Sequence, residues 1–513
     1  MNTIITIMNK KDLKQRFIAI IMLLFSITTN AYDFSVDRIW YNITSSTSMT
    51  VEVADNMGIS GDIIIPATVS NKGKTYRVTS IGDHAFEWCE YITSVTIPNT
   101  VTNIENDVFI GCSRLTNVTI PNSVTKIGES AFCKCSSLKS IDIPLFVTSI
   151  EPATFYGCSS LTRIIIPENV TSIGYGAFDN CASLTSITIP EGVKNISESG
   201  VLTGCINLKK INVDSRNSIY DSRNNCNAII ETSSNTLISG CKNTIIPNDI
   251  TRIGAEAFFD HSSLININIP KTITEIGRIA FNGCTELKSI TSYISAENLF
   301  AIESSVFENV DKTACTLYVP SNTVGIYSST EGWKDFKNIE EKKFTITYIV
   351  DGETYATDSI AYGSEIVLRE ELTKEGYTFS GWSEAPKTMP AEDVTISSTF
   401  SVNSYTITYI VDGEIYATDS IAYGSEIVLR EELTKEGHTF SGWSEAPKTM
   451  PAEDVIIIGN FEVDGIDTIV SNKLVDIYTL QGIRVKRQIP VEDIENELPT
   501  GVYIVNGKKF IVK

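Results

Sequence analysis

Apolar and polar positions alternate along short runs of the chain. "SVTIP", "NVTIP", "SIDIP", "RIIIP" and "SITIP" each place two apolar residues around one outward position, and a proline follows. The alternation predicts a short strand with one buried face, ended by a residue that has no N–H to donate. These runs recur every 23 residues. Pro98, Pro121, Pro144, Pro167 and Pro190 keep strict register, as do Phe86, Phe109, Phe132, Phe155 and Phe178. Each copy reads L-x-x-I-x-I-P, then V-T-x-I-G, then A-F-x-x-C. A sixth copy is altered around Leu202 to Val213, an irregular stretch with Cys226 and Cys241 follows, and the period resumes through Pro247, Phe258, Pro270 and Phe281. One such unit cannot bury its own apolar face, whereas a stack of them lines Leu, Ile, Val and Phe into one continuous core.

From Phe344 the pattern changes and a 61-residue period begins: the run from Ile346 returns from Ile407 with few substitutions, among them Thr354 by Ile415 and Tyr377 by His438. "FTITYIVDGETYATDSI" predicts a hairpin turning at Asp351-Gly352, a dipeptide that tolerates positive φ. "SEIVLREELTKEG" predicts a short strand or helical turn, and "YTFSGW" and "VTISSTF" predict further strands. Trp382 and Trp443 sit once per module in the same register, as core residues do. At the carboxyl end, Asn506-Gly507 between alternating apolar runs predicts a last hairpin.

At the amino end, Lys10, Lys11, Lys14 and Arg16 precede the apolar run Phe17 to Thr28, and small residues lead to Ala31. This pattern predicts a cleavable secretion signal over residues 1–31, since the run is shorter than the roughly 20 residues that span a bilayer. Removal of four basic residues and Asp12 would take the formal charge from −21 to −24. So acidic a chain disfavours nucleic acid as a partner.

Chemistry is sparse. The three histidines, His84, His261 and His438, form no H-E-x-x-H motif, and no nucleophile elbow or phosphate loop occurs. No catalytic residue, metal ligand or cofactor is expected, and the chain is read as no enzyme. Of eleven cysteines, Cys89, Cys112, Cys135, Cys158, Cys181, Cys205 (one residue late) and Cys284 follow the repeat register, with His261 taking one such position. They are read as a ladder of small buried side chains at a turn; stacked rungs would also bring thiols within disulfide range. Cys226 and Cys241 are the pair to test for a bridge. Cys133 aligns with Glu87, Ile110, Tyr156 and Asp179, a variable position, and is expected to be accessible.

The fixed period with six or more matched positions per copy resembles the BspA-like class of bacterial leucine-rich repeats over about residues 33–340. "DFSVDRIWYNI" looks like that family's entry cap, and "LYVPSNTVGIYSSTEGWKDFKNI", with Trp333 and Phe336, like its exit cap. G-Y-T-F-S-G-W with "MPAEDVTI" resembles the Listeria-Bacteroides repeat, similar to internalin B repeats with a small β-grasp-like fold. "LVDIYTLQGIRV" and "LPTGVYIVNGKKFIVK" resemble the C-terminal sorting domains of type IX secretion substrates in Bacteroidetes, the phylum this implies for the source.

The expected fold is mainly β: a signal at 1–31, a cap at 32–80, a leucine-rich repeat solenoid at 81–342, β-grasp-like modules at 343–402 and 403–463, and a short C-terminal β-domain at 464–513. The resemblance implies a secreted protein attached to the bacterial outer surface, without a transmembrane segment after signal removal. It also implies a monomeric adhesin whose solenoid binds host matrix or other bacterial surface proteins. A passive surface-layer or stalk protein and an accessory carbohydrate-binding protein are the alternatives. The candidate ligand-facing residues are Thr96, Thr119, Asp142, Arg163, Ile165 and Thr188, all outward positions between buried strand residues.

Overall fold

Most 23-residue copies make one rung with two short strands and a turn-rich corner; in the copies carrying "SIDIP" and "RIIIP" the first strand is reduced to a single bridge between Asp142 and Ile165. In the first copy, Ile92–Thr96 lies parallel to Asn117–Thr119 of the next rung, and Asn103–Ile104 lies parallel to Lys126–Ile127. A computed structural model describes residues 32–464, 474–490, 493–505 and 508–512. The leader read over 1–31 and the Asn506-Gly507 turn lie outside the described residues. One compact unit ends at Lys342 and a second begins at Lys343, and the described residues are almost entirely strand and turn.

The corner phenylalanines stack along the solenoid. Phe86, Phe109, Phe132, Phe155 and Phe178 have ring centroids 5.3–5.8 Å apart in sequence order, and each is fully buried. Complete burial stabilises by about 1.5–3 kcal/mol per ring, and the offset stacking adds roughly 0.5–1.5 kcal/mol per pair. Phe258, Phe281 and Phe307 continue the stack at 5.0 and 5.2 Å. Trp333 and Phe336 then close it against Phe307 at 5.8 and 5.3 Å. At the other end, Phe34–Val36, Ile39–Ser45 and Thr50–Val53 form an antiparallel set, and Lys74–Ile81 joins this set to the first rung. On the second strand column, Thr102, Thr125 and Thr171 donate to the carbonyl of the threonine one rung earlier.

Two residues past each corner phenylalanine, and past Leu202 in the altered copy, the backbone adopts positive φ. The residues there are Trp88, Gly111, Lys134, Gly157, Asn180, Gly204, Asp260, Gly283 and Asn309. Large and absent side chains alternate rung by rung. A Cβ on Gly111 would run into the Trp88 indole, and one on Gly204 or Gly283 into the Asn180 or Asp260 side chain. Glycine therefore serves twice, taking the left-handed backbone and clearing the space its larger neighbour covers.

The irregular stretch is one distorted rung. Tyr220–Asp221, Ile229–Glu231 and Thr236–Ser239 pair antiparallel, and Thr236–Ser239 then runs parallel to Arg252–Ile253, so the insertion supplies a rung to the second column. In the first column Lys242 to Ile246 fills the interval from Cys241 to Pro247, three residues fewer than Ser159 to Ile166 between Cys158 and Pro167, and forms no regular strand. The apolar core divides here into two clusters. Buried Asp179, Thr203, Thr236, Ser239, Thr244 and His261 lie in the same region.

In the second unit, Lys343–Val350 and Glu353–Ala361 form the hairpin of the first module, with Asp351 and Gly352 at φ 51° and 87°. Val394–Ser398 adds a parallel strand. The second module repeats this with Ser404–Val411, Glu414–Ala422 and Val455–Val463. Residues 366–373 carry no regular secondary structure, in place of the expected strand or helical turn. They are tied down instead: Arg369 pairs with Asp358, and the Trp382 indole N–H donates to the Arg369 carbonyl at 2.8 Å. Leu474–Thr479, Arg484–Pro490, Gly501–Val505 and Lys508–Val512 form a terminal antiparallel sheet. Tyr478 and Ile504 of that sheet pack on Ile410 and Ile458 of the second module. In the first module Ser397 stands where Ile458 does.

Candidate binding surface

All six ligand-facing candidates are exposed on the first strand column. Thr96 lies beside Thr119, Asp142 bridges Ile165, and Thr188 lies beside Asn212. Arg163 projects from the outward position two residues before Ile165. The pleat explains this placement, because Val95, Val118, Ile141, Ile164 and Ile187 point inward and are buried. The structure thus brings the candidates onto one side of the rungs, and Ile165 is the most exposed apolar residue among them at 66%.

The register cysteines face the other way. Cys112, Cys135, Cys158, Cys181, Cys205 and Cys284 each donate through Sγ to a phenylalanine carbonyl of the preceding rung at 3.2–3.3 Å. Cys89 donates to the Asn56 carbonyl of the cap. Burial pushes these thiols up, Cys284 to about 12, so at neutral pH they supply no thiolate for exchange or metal ligation. All eleven cysteines are buried free thiols.

Two expectations are corrected by these positions. Cys133 is 6% exposed, not accessible. Its short side chain ends beneath the corner where Glu87, Ile110 and Tyr156 reach partly into solvent, and Asp179 in the same register is also buried. Cys226 and Cys241 form no bridge: Cys241 turns to the Asn227 carbonyl at 3.5 Å, and the two belong to different core clusters. His261, in the thiol register, is fully buried with Nδ1 3.1 Å from the Phe259 carbonyl, and burial lowers its pKa. Among the described residues no three of His, Cys, Asp and Glu converge as metal ligands would.

A family model described as the BspA type leucine rich repeat region matches residues 79–209, 148–239 and 229–349, together more than half of the chain. The chain belongs to the BspA-type leucine-rich repeat family. The Listeria-Bacteroides repeat domain matches residues 344–403 and 405–454. Internalin H of Listeria monocytogenes is 32% identical over 190 residues, 34% of this chain and 30% of that protein. A putative Gly-rich membrane protein of Evansella cellulosilytica is 28% identical over 131 residues, 20% of this chain and 15% of that protein. The chain thus spans less than a third of the length of the curated relatives it matches. Among solved structures, a leucine rich cell surface protein from Faecalibacterium prausnitzii is 26% identical, covering 60% of this chain and 94% of that chain, with a TM-score of 0.44. A leucine-rich repeat protein from Bacteroides ovatus is 25% identical, covering 60% and 79%, with a TM-score of 0.36.

The BspA-type solenoid also exposes residues that pattern reading passed over. Trp88 and Tyr91 are 52% and 59% exposed at the first corner, with Lys134 over the indole at 5.4 Å and Arg114 over the phenol ring at 4.8 Å. Their signal was a bulky aromatic at positions that hold Gly111, Lys134 and Gly157, or Arg114, in later copies. In the modules, Trp382 and Trp443 are half-buried, edge-on to Tyr348 and Tyr409 at 5.0 and 5.1 Å. With both indole N–H groups bonded to backbone, these rings brace the module rather than present a free face.

Proposed function

We propose that this protein is a secreted or cell-surface bacterial adhesin whose solenoid binds host matrix or other bacterial surface proteins through its first strand column, without catalysis. The observation that carries this reading is the side-by-side exposure of Thr96, Thr119, Asp142, Ile165 and Thr188 on one edge of stacked rungs. Such a surface engages a partner at many points without a deep pocket. Membership of the BspA-type family and the likeness to internalin H support a protein-binding surface role. In this reading the chain is monomeric, the two β modules are a spacer, and the terminal β-domain carries an export signal. No helix among the described residues is long and apolar enough to cross a membrane.

The test is retention of host matrix and bacterial surface proteins on the immobilised full chain, with residues 343–513 as the control. Retention by the full chain and not by the control is expected. No retention at high protein density leaves the passive surface-layer reading, and selective glycan retention the carbohydrate-binding one.

A further inference from the structure

The outward positions of the first strand column carry an uneven charge. Between Thr93 and Ser289 they hold Lys139, Arg163, Lys209, Lys210, Lys242 and Lys288 against one carboxylate, Asp142, with Glu286 flanking Lys288 at the edge of the strip. Among the described residues none of these six pairs with a carboxylate. In a chain of net charge −21, this column is a positive strip, and its charge is densest where the short rung interrupts the strands. Lys209 and Lys288 occupy the outward position that Ile265 holds in the rung before Lys288, and the Lys288 N–H bonds the Ile265 carbonyl at 2.8 Å.

At that interruption the column opens into a notch of about 410 Å³ lined by Lys242, Asn243, Ile245, Ser263, Ile265 and Asn266. Ile245 and Ile265 are 71% and 52% exposed there, two β-branched residues lining one notch on a face made mostly of Thr, Ser, Asn and Lys, where Ile165 stands singly. Elsewhere the insertion neutralises its own charge: Arg223 pairs with Asp221 and Asp249, and Arg216 with Asp214 and Glu191. The lysines around the notch have no such partners.

We infer that the notch at the short rung is the anchor point of the binding surface, and that its occupant is a protein segment bearing one leucine-sized side chain flanked by carboxylates. This rests on the protein-binding reading above and names the partner chemistry. The isoleucines bury the apolar side chain, and the lysine strip attracts and orients the acidic flanks. A sulfated glycan would satisfy the lysines and leave Ile245 and Ile265 uncovered, so the geometry favours polypeptide.

The experiment uses the purified full chain and a fluorescein-labelled peptide, Gly-Asp-Glu-Asp-Leu-Asp-Glu-Asp-Gly, followed by anisotropy. Exchange of its leucine for serine is expected to weaken binding at least about tenfold. The triple variant K209E/K242E/K288E should abolish binding of both peptides, and raised salt should weaken both. I245S/I265S should remove the advantage of the leucine peptide alone; circular dichroism verifies that these exposed substitutions leave the fold intact. Equal binding of the two peptides, indifference to charge reversal, or binding of a heparin oligosaccharide without the acidic peptide would each overturn the inference. If the peptide fails while the immobilised chain still retains surface proteins, the notch is wrong and the adhesin reading stands. If neither binds, both fall.

Discussion

The rungs from Ala85 to Pro190 and the rung around the insertion solve one packing problem in two ways. In the regular region every corner supplies a phenylalanine to the stack and a thiol to the preceding carbonyl. At the insertion Val201 and Leu202 replace the ring, His261 replaces the thiol, and Asp179 is buried with Oδ1 accepting the Thr203 N–H at 3.0 Å. Repetition gives cohesion, because each side chain meets a copy of itself. Breaking it admits polar groups, ties the core less tightly, and opens the notch on the outer face.

The largest expected effect lies in the stack. Phe132→Ala removes a ring held between two others and should cost ~3–5 kcal/mol in chemical unfolding, whereas Leu202→Ala at the joint should fall near the lower end of the ~2–5 kcal/mol range for such truncations. Equal losses would erase the contrast.

The next concerns pH. Burial, with Glu256 and Asp260 adding negative charge nearby, pushes the Asp179 carboxyl up to about 7 from an ordinary 3.8. Between those values the folded chain holds a proton that the unfolded chain has lost, so stability falls as pH rises through the window. Asp179→Asn keeps the acceptor and removes the charge. It should stabilise by on the order of 2 kcal/mol at pH 8, with the gain gone by about pH 4. His261 loses stability below its ordinary value in wild type and variant alike, so the difference between their melting curves reports Asp179. A gain independent of pH would mean the carboxylate is not the strained group.

Smaller still, Cys135→Ser should cost about 1 kcal/mol through an altered bond to the Phe109 carbonyl, and Cys133→Ser less. The smallest signal is chemical: neither thiol should react with a maleimide in the native protein, and both should label on unfolding. Fast native labelling of Cys133 alone would show that the corner opens.

Much of the solenoid is legible in its sequence because its period repeats physical necessities. Phe86 through Phe178 must meet one another, and the prolines must end strands. The joint is harder to read. Cys241-Lys242-Asn243-Thr244-Ile245-Ile246-Pro247 is a rung with three residues missing, and alignment to a fixed spacing hides it. The lysine strip escapes notice because its members replace threonine or serine singly, or as the one pair Lys209-Lys210, over some 150 residues of otherwise acidic sequence. Cys133 misleads for a different reason: a variable position need not be an open one, since a short side chain is covered where tyrosine protrudes.

The corner at which Trp88, Gly111, Lys134 and Gly157 follow one another has a consequence for inheritance. A bulky residue and a bare one succeed each other without exception as far as Asn309, so the unit that can be copied or lost without a collision is a pair of rungs, 46 residues from Trp88 to Lys134. Gaining a copy of the Trp88 rung alone would press indole against indole, and a copy of the Gly111 rung alone would leave two gaps side by side. Lengthening or shortening of this molecule, in nature or in the laboratory, should therefore proceed in even steps.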